Sequence, residues 1–272
     1  MRTSGNLKWR ESSVATTKDN QGKGNGSSGR GKLYVVGIGP GDIEYMSLKA
    51  YRILQQVDVI VGYKTYIELL EELVTEGQRV VSNGMTKEVE RCQQAINLAL
   101  EGEEVAIVSS GDPGVYGMAG LILELLQEEV KLEVEIIPGI TAANAAASSL
   151  GAPLMHDYAV ISLSDLMTPW EVIEDRLEKT AEGDFIVALY NPKSKKRVKQ
   201  IEIARDIFLR NREPNTPVGI VRKAKRGDEE LIITTLVEML EHKIDMVTTV
   251  IIGNSQTFKQ DNLMVTPRGY EV

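Results

Sequence analysis

The stretch Leu33-Tyr34-Val35-Val36-Gly37-Ile38-Gly39-Pro40-Gly41-Asp42 decides the fold class. Its first half is short, apolar and rich in β-branched residues, the mark of a strand covered on both faces. Its second half packs three glycines and a proline into a tight turn at the carboxyl end of that strand, the edge at which open α/β sheets hold their ligands. Glycines there let the backbone approach a ligand closely. The third glycine of a dinucleotide fingerprint would fall at position 42, which is Asp, and no Gly-Lys-Ser/Thr follows, so neither nucleotide pattern applies. The spacing by itself fits a ligand loop or a turn that binds nothing.

Outward from this stretch, short apolar runs alternate with longer helical patterns, as in layers built on a largely parallel sheet. The pattern predicts strands at 33–38, 58–61, 79–81, 105–109 and 134–137, and helices near 47–57, 64–76, 87–101, 115–129 and 140–149. Leu150-Gly151-Ala152-Pro153 breaks the periodicity and marks a hinge. Beyond it, strands are expected at 158–163, 184–190, 217–221, 230–234 and 248–252, and helices at 170–180, 196–211 and 235–242. Two of these strands follow each other without a helix, so the second sheet should be mixed. The expected architecture is α/β: two α/β domains, each with a five-stranded sheet, and a cleft between them. The boundaries are a basic tail over 1–32, a first domain over 33–152, a second over 153–256 and an extension over 257–272. No internal repeat is found.

Residues 1–32 hold few large apolar side chains and are expected to be disordered. They carry seven Lys or Arg against Glu11 and Asp19, a net of +5, so a total of −8 leaves −13 for the remainder. That balance argues against non-specific nucleic-acid binding. No apolar run is long enough to span a bilayer and no secretory h-region is found, so a cytoplasmic location is expected. One cysteine and two histidines offer neither a disulfide framework nor clustered metal ligands, and no metal site is expected.

Two further loops end strands of the first domain. Ser109-Ser110-Gly111-Asp112-Pro113-Gly114-Val115-Tyr116-Gly117 follows the fourth, and Pro138-Gly139-Ile140-Thr141-Ala142-Ala143 follows the fifth, with Thr141 placed to cap a helix. Three small-residue turns on one sheet edge imply a small-molecule cleft, although the alanines after Thr141 would equally suit close helix packing. Together, Gly-x-Gly-Pro-Gly-Asp, Ser-Gly-Asp-Pro-x-Val-Tyr-Gly and Pro-Gly-Ile-Thr-Ala resemble, in order and spacing, the signature of the class III tetrapyrrole (corrin/porphyrin) methyltransferases. The resemblance covers roughly 33–256. It implies a kidney-shaped pair of α/β domains, S-adenosyl-L-methionine bound between them, and a homodimer. Within the family, Ser162 to Trp170, Tyr190-Asn191-Pro192-Lys193-Ser194 and Ile220-Val221-Arg222-Lys223-Ala224 resemble the branch that methylates C-17 of a precorrin-3B or cobalt-factor III macrocycle and contracts the ring in corrin (cobalamin) biosynthesis.

Carried over position by position, that resemblance places the donor against Pro40, Gly111, Asp112, Val115, Thr141, Ala142, Asn191 and Ala224. The acceptor carries many carboxylates, so Lys193, Ser194, Arg197, Arg222 and Lys223 are candidates to bind it; such runs also make ordinary solvated faces. Methyl transfer needs alignment more than a nucleophile, whereas ring contraction moves protons. His156, beside Asp157, is the candidate for that work, or else a structural histidine at the hinge. Asp42 either orients a ligand or closes its turn. Cys92 reads as a buried thiol, and Trp170 as a packing residue or a platform for the macrocycle. Two other readings are a methyltransferase of this fold acting at another position or acceptor, and a non-catalytic tetrapyrrole carrier.

Overall fold

A computed structural model describes residues 31–84, 87–126 and 131–271. Residues 1–30 of the expected tail and the end of the helix expected over 115–129 lie outside these. Lys32, assigned to the tail on composition, instead opens the first strand and pairs with Glu133 and Glu135 at 2.6 and 2.8 Å.

The first half runs β1 (Lys32–Gly37), a 3₁₀ turn (Ile43–Tyr45), α1 (Leu48–Leu54), β2 (Val59–Tyr63), α2 (Lys64–Glu68), β3 (Arg79–Asn83), α3 (Glu88–Leu100), β4 (Glu104–Ser109), α4 (Ala119–Leu125), β5 (Glu133–Ile137) and α5 (Ala142–Leu150). Its five strands form one sheet in the order β3-β2-β4-β1-β5, every pair parallel. Strand alternation sorts the side chains. Leu33, Val35, Val59, Val61, Val105 and Ile107 meet α3 and α4 on one face, while Val36, Ile60, Ala106 and Val108 meet α1 and the turns after α2 on the other. Covering both faces is what makes these strands continuous apolar runs.

The second half contains β6 (Gly151–Ala152), β7 (Tyr158–Ser162), α6 (Trp170–Glu182), β8 (Ile186–Tyr190), α7 (Gln200–Leu209), β9 (Pro217–Arg222), β10 (Glu230–Thr235), a 3₁₀ turn (Met239–Glu241), β11 (Thr248–Ile252), β12 (Phe258–Gln260) and β13 (Leu263–Val265). Its main sheet, β10-β9-β11-β8-β7, is mixed. Only β7 and β8 run parallel, as the missing helix between successive strands required. α6 and α7 cover one face through Ile173, Leu177, Ile207 and Phe208.

The other face is covered by α5, whose Ala143, Ala145, Ala146, Ala147 and Leu150 pack on Ile186, Ala188, Val221 and Ile251. Small side chains let this helix lie close to the strands. At Gly219 a β-carbon would fall 2.3 Å from Leu150 Cδ1. Thus α5, which leaves the first sheet, is built into the second. The hinge segment is also more ordered than its composition suggests: β6 pairs in parallel with β13, completing a three-stranded sheet with β12.

Several helices are shorter than their periodicity predicts. The segment 196–211 becomes helical only at Gln200, and 235–242 holds a single 3₁₀ turn. The segment 64–76 stops at Glu68, and 115–129 starts at Ala119 because Gly114, Tyr116 (φ 55°) and Gly117 first form a turn.

Candidate functional site

All three small-residue loops emerge at the carboxyl edge of the first sheet, and their backbones touch. Gly39 and Gly111 exchange N–H···O bonds of 3.1 and 2.7 Å, with φ of 73° and 69°. A β-carbon at Gly139 would lie 2.1 Å from the Gly111 carbonyl oxygen, and one at Gly37 would lie 2.6 Å from it. Gly37 and Gly139 are required by the close approach of these loop backbones, and Gly39 and Gly111 by their left-handed φ. Asp112 stitches two of the loops together: Oδ1 accepts from the Gly114 amide (2.8 Å) and Oδ2 from the Gly139 amide (3.0 Å). Thr141 caps α5 by accepting from the Asn144 amide at 3.3 Å.

The second domain supplies the opposite wall. Asn191 follows β8 in a left-handed conformation (φ 49°), donating to Ser162 Oγ at 2.9 Å, while its carbonyl accepts from Arg197 Nη2 at 2.8 Å. Tyr190 OH accepts from the Ala143 amide at 2.7 Å, and burial raises its pKa. After β9 the chain turns through Lys223 and Lys225, both left-handed at φ 53° and 54°. Clustering of such strained positions is a feature of functional sites. Tyr116, also left-handed, crosses from the first domain to bond the Val160 carbonyl (3.3 Å) and the Ser162 amide (3.2 Å).

Between these walls lies a cleft of about 360 Å³, within the range of small-ligand sites. All eight residues proposed for the donor line it: Pro40, Gly111, Asp112, Val115, Thr141, Ala142, Asn191 and Ala224. Lys223 lines it as well, paired with Asp228. A second depression, of about 380 Å³, lies at the other end of β9 against Pro217, Thr235, Glu238 and His242, where no glycine loop reaches.

The other candidates fall outside the cleft lining. Arg222 is committed to Asp245 (2.7 Å) and Glu230 (2.8 Å), so its guanidinium is already neutralised by the protein. Arg197 is buried and holds the Asn191 loop from behind, while Ser194 Oγ accepts from the Arg197 amide at 3.0 Å. Lys193 sits half-buried on the same loop. His156 lies exposed on the segment between the sheets, its Nδ1 accepting from the Asp157 amide at 2.9 Å; adjacency to an acid in sequence did not aim it at the cleft. Asp42 caps the 3₁₀ turn by accepting from the Glu44 amide at 2.9 Å, the turn-closing alternative. Trp170 packs against the α6–α7 core.

The cleft also contains residues that carried no sequence signal. Tyr63, Thr65 and Tyr66 enter from β2 and α2, Met246 and Val247 from the lead into β11, and Thr248 and Thr249 from its first residues. Burial raises the pKa of Tyr66 and holds it neutral. Arg226, one of a basic run in the sequence, reaches across from the second domain to the Pro40 carbonyl at 2.6 Å. Composition marked the run as charged but could not tell which of its members turns inward.

A family model described as tetrapyrrole (corrin/porphyrin) methylases matches residues 32–240. The cobalt-factor III methyltransferase of Priestia megaterium is 53% identical over 247 residues, 89% of this chain and 46% of its own length. The chain thus spans about half of that relative. It spans 99% of the probable cobalt-factor III C(17)-methyltransferase of Salmonella typhimurium strain LT2, which is 50% identical over 88% of this chain. Among solved structures, the methyltransferase CobJ superposes with a TM-score of 0.81 at 34% identity, covering 87% of this chain and 100% of that one. A uroporphyrin-III C-methyl transferase of Thermus thermophilus, complexed with S-adenyl homocysteine, superposes at 0.63 with 26% identity, covering 82% and 92%.

Proposed function

The chain belongs to the tetrapyrrole (corrin/porphyrin) methylases, and from that premise we propose that it methylates C-17 of a precorrin-3B or cobalt-factor III macrocycle with S-adenosyl-L-methionine, with associated ring contraction, in corrin biosynthesis. The observation that carries this reading is the meeting, in one interdomain cleft, of all eight positions named for the donor. Similarity to C(17)-methyltransferases over nearly the whole of one relative supports the choice of acceptor carbon.

The cleft fits such a donor. Gly111 brings bare backbone to the lining, and Tyr66 and Tyr190 are neutral hydrogen-bonding groups. When bound, S-adenosyl-L-methionine supplies a methyl group on a sulfonium, a good leaving group that needs no nucleophilic side chain. The residues of the chain bind and orient. Gly111, Ala142 and Asn191 offer backbone groups from both domains, Asp112 fixes two of the loops against each other, and the aligned walls supply the proximity that is worth about 7–11 kcal/mol in such reactions. On the acceptor side, Lys193, Lys195, Lys196 and Lys199 on the loop beyond β8 place positive charge beside an otherwise acidic protein. Point charges on flexible stems suit the scattered carboxylates of a macrocycle.

The homodimer and the cytoplasmic location belong to the same reading. Among the described residues no helix is long and apolar enough to cross a membrane. The test is to incubate the chain, without oxygen, with labelled S-adenosyl-L-methionine and a precorrin-3 or cobalt-factor III acceptor, and to examine the product by mass spectrometry and NMR. One new methyl at C-17 is expected, and a contracted ring in the same product extends the assignment. A methyl at another carbon would move the chain to a different acceptor position. Binding of both ligands without transfer would make it a carrier.

A further inference from the structure

We propose that Arg226 is a positioning residue, a latch by which the second domain holds the Pro40–Gly41 loop of the first in its donor-binding shape. The inference rests on the reading that this cleft takes S-adenosyl-L-methionine. Arg226 Nε donates to the Pro40 carbonyl at 2.6 Å, and Nη2 lies 3.5 Å from Ser110 Oγ, so one guanidinium spans two of the three glycine-rich loops. Pro40, Ser110 and Arg226 all line the cleft. The first loop is also shaped around the side chain. A β-carbon at Gly41 would stand 2.8 Å from Arg226 Nε and 3.0 Å from its Cγ, in a backbone at φ 146° that disfavours L side chains in any case.

The far end of the latch is anchored. Lys223 and Lys225 are both left-handed, the Arg226 amide bonds the Lys223 carbonyl at 3.1 Å, and the Glu229 amide bonds the Arg226 carbonyl at 3.0 Å. The Glu229 carboxylate accepts from the Lys225 amide (2.6 Å) and from Ser149 Oγ on α5 (2.9 Å), tying the turn to the second sheet. Arg226 itself joins no ion pair among the described residues. Its charge is spent on a backbone carbonyl, and burial lowers its pKa. A fixed fork of donors is what lets one side chain hold two loops in register, and a lysine offers only a point charge on a flexible stem.

The experiment compares wild type, Arg226→Met, Arg226→Lys, Gly41→Ala and the Gly41→Ala/Arg226→Met double variant. Calorimetric binding of S-adenosylhomocysteine, donor KM, kcat and thermal melting are measured for each. The latch predicts that Arg226→Met weakens donor binding about tenfold, the scale of one charge-assisted hydrogen bond. Donor KM should rise more than kcat falls, Arg226→Lys should recover part of the loss, and the melting temperature should hardly move. Gly41→Ala, which displaces the guanidinium, should weaken binding similarly, and the double variant should be no worse than the poorer single one. Normal binding by Arg226→Met, additive losses in the double variant, or binding losses that merely track melting temperature would each overturn the latch while leaving the donor reading intact. Absence of binding by the wild type would sink the donor reading itself.

Discussion

Asp112 uses both carboxylate oxygens on backbone amides, one in its own turn and one in the loop after β5. Asp112→Ala strips two amides of their acceptor, at a cost of about 1–3 kcal/mol. Since the freed loops line the cleft, the expected outcome is at least a tenfold loss of donor affinity by calorimetry, with Asp112→Asn intermediate because it keeps one acceptor oxygen. Cys92 makes a contrasting case. It is fully buried under the first sheet, and burial pushes its thiol up to about 11 from an ordinary value near 9. The folded chain therefore holds this proton to higher pH than the unfolded chain does. Stability from the thiol is complete below about pH 9 and is lost as pH rises through about 11. Urea midpoints at pH 8 and pH 10.5 should thus fall less in Cys92→Ala than in wild type, and the native thiol should resist disulfide reagents at pH 8. At this scale the sequence was informative where geometry follows from the backbone: Pro40, Gly111, Asp112, Val115, Thr141 and Ala142, all named from the glycine loops, line the cleft, while Asp42 of the first loop caps its own turn. It was uninformative for Arg197, Arg222 and His156, whose side-chain directions depend on Asn191, Asp245 and Asp157.

At the level of elements, strands were legible because two-sided burial writes itself as apolar runs, and β4 and β11 appear almost where the pattern placed them. Helices with weak local support were not. The 235–242 stretch has the periodicity of a helix, yet the Glu238 carboxylate accepts from Thr235 Oγ1 at 3.0 Å and the stretch is anchored by the buried Leu236 and Met239 with the half-buried Leu240, so one 3₁₀ turn suffices. Nor could alanine content reveal that α5 serves the second sheet, since that depends on what it meets. Gly219 of β9 is the element it meets most closely. Gly219→Ala would drive a methyl into Leu150 and should destabilise the chain by about 1–3 kcal/mol. Leu150→Ala alone opens a cavity at a cost of about 2–5 kcal/mol. Combined, the two should cost less than their sum, because each occupies the space the other needs; denaturant unfolding of the four species measures that coupling, and simple additivity would show that α5 and β9 are not in contact.

For the whole molecule, the question is what keeps two sheets at a fixed separation so that a cleft between them has a definite shape. Part of the answer lies far from the cleft. β13 pairs with β6 just where the chain passes from one sheet to the other, and the Thr266 amide donates to the Ala152 carbonyl at 3.1 Å. Thr266 Oγ1, almost wholly buried, donates to the Pro153 carbonyl at 2.8 Å and lies 2.8 Å from Thr257 Oγ1. One hydroxyl thus clamps the segment between the sheets to the hairpin that follows the last strand of the main sheet. Thr266→Val keeps the shape and removes the hydroxyl, leaving the Pro153 carbonyl without its partner at a cost of about 1–3 kcal/mol. For a chain of this size that corresponds to a fall in Tm of roughly 2–4 °C per kcal/mol. Because no atom of Thr266 borders the cleft, a purely local effect would leave S-adenosylhomocysteine binding untouched once the protein is folded. If the segment sets the separation of the walls, binding at 20 °C should weaken severalfold in Thr266→Val while Thr266→Ser, which restores the donor, binds as wild type; equal binding by all three would show that this segment does not set the shape of the cleft.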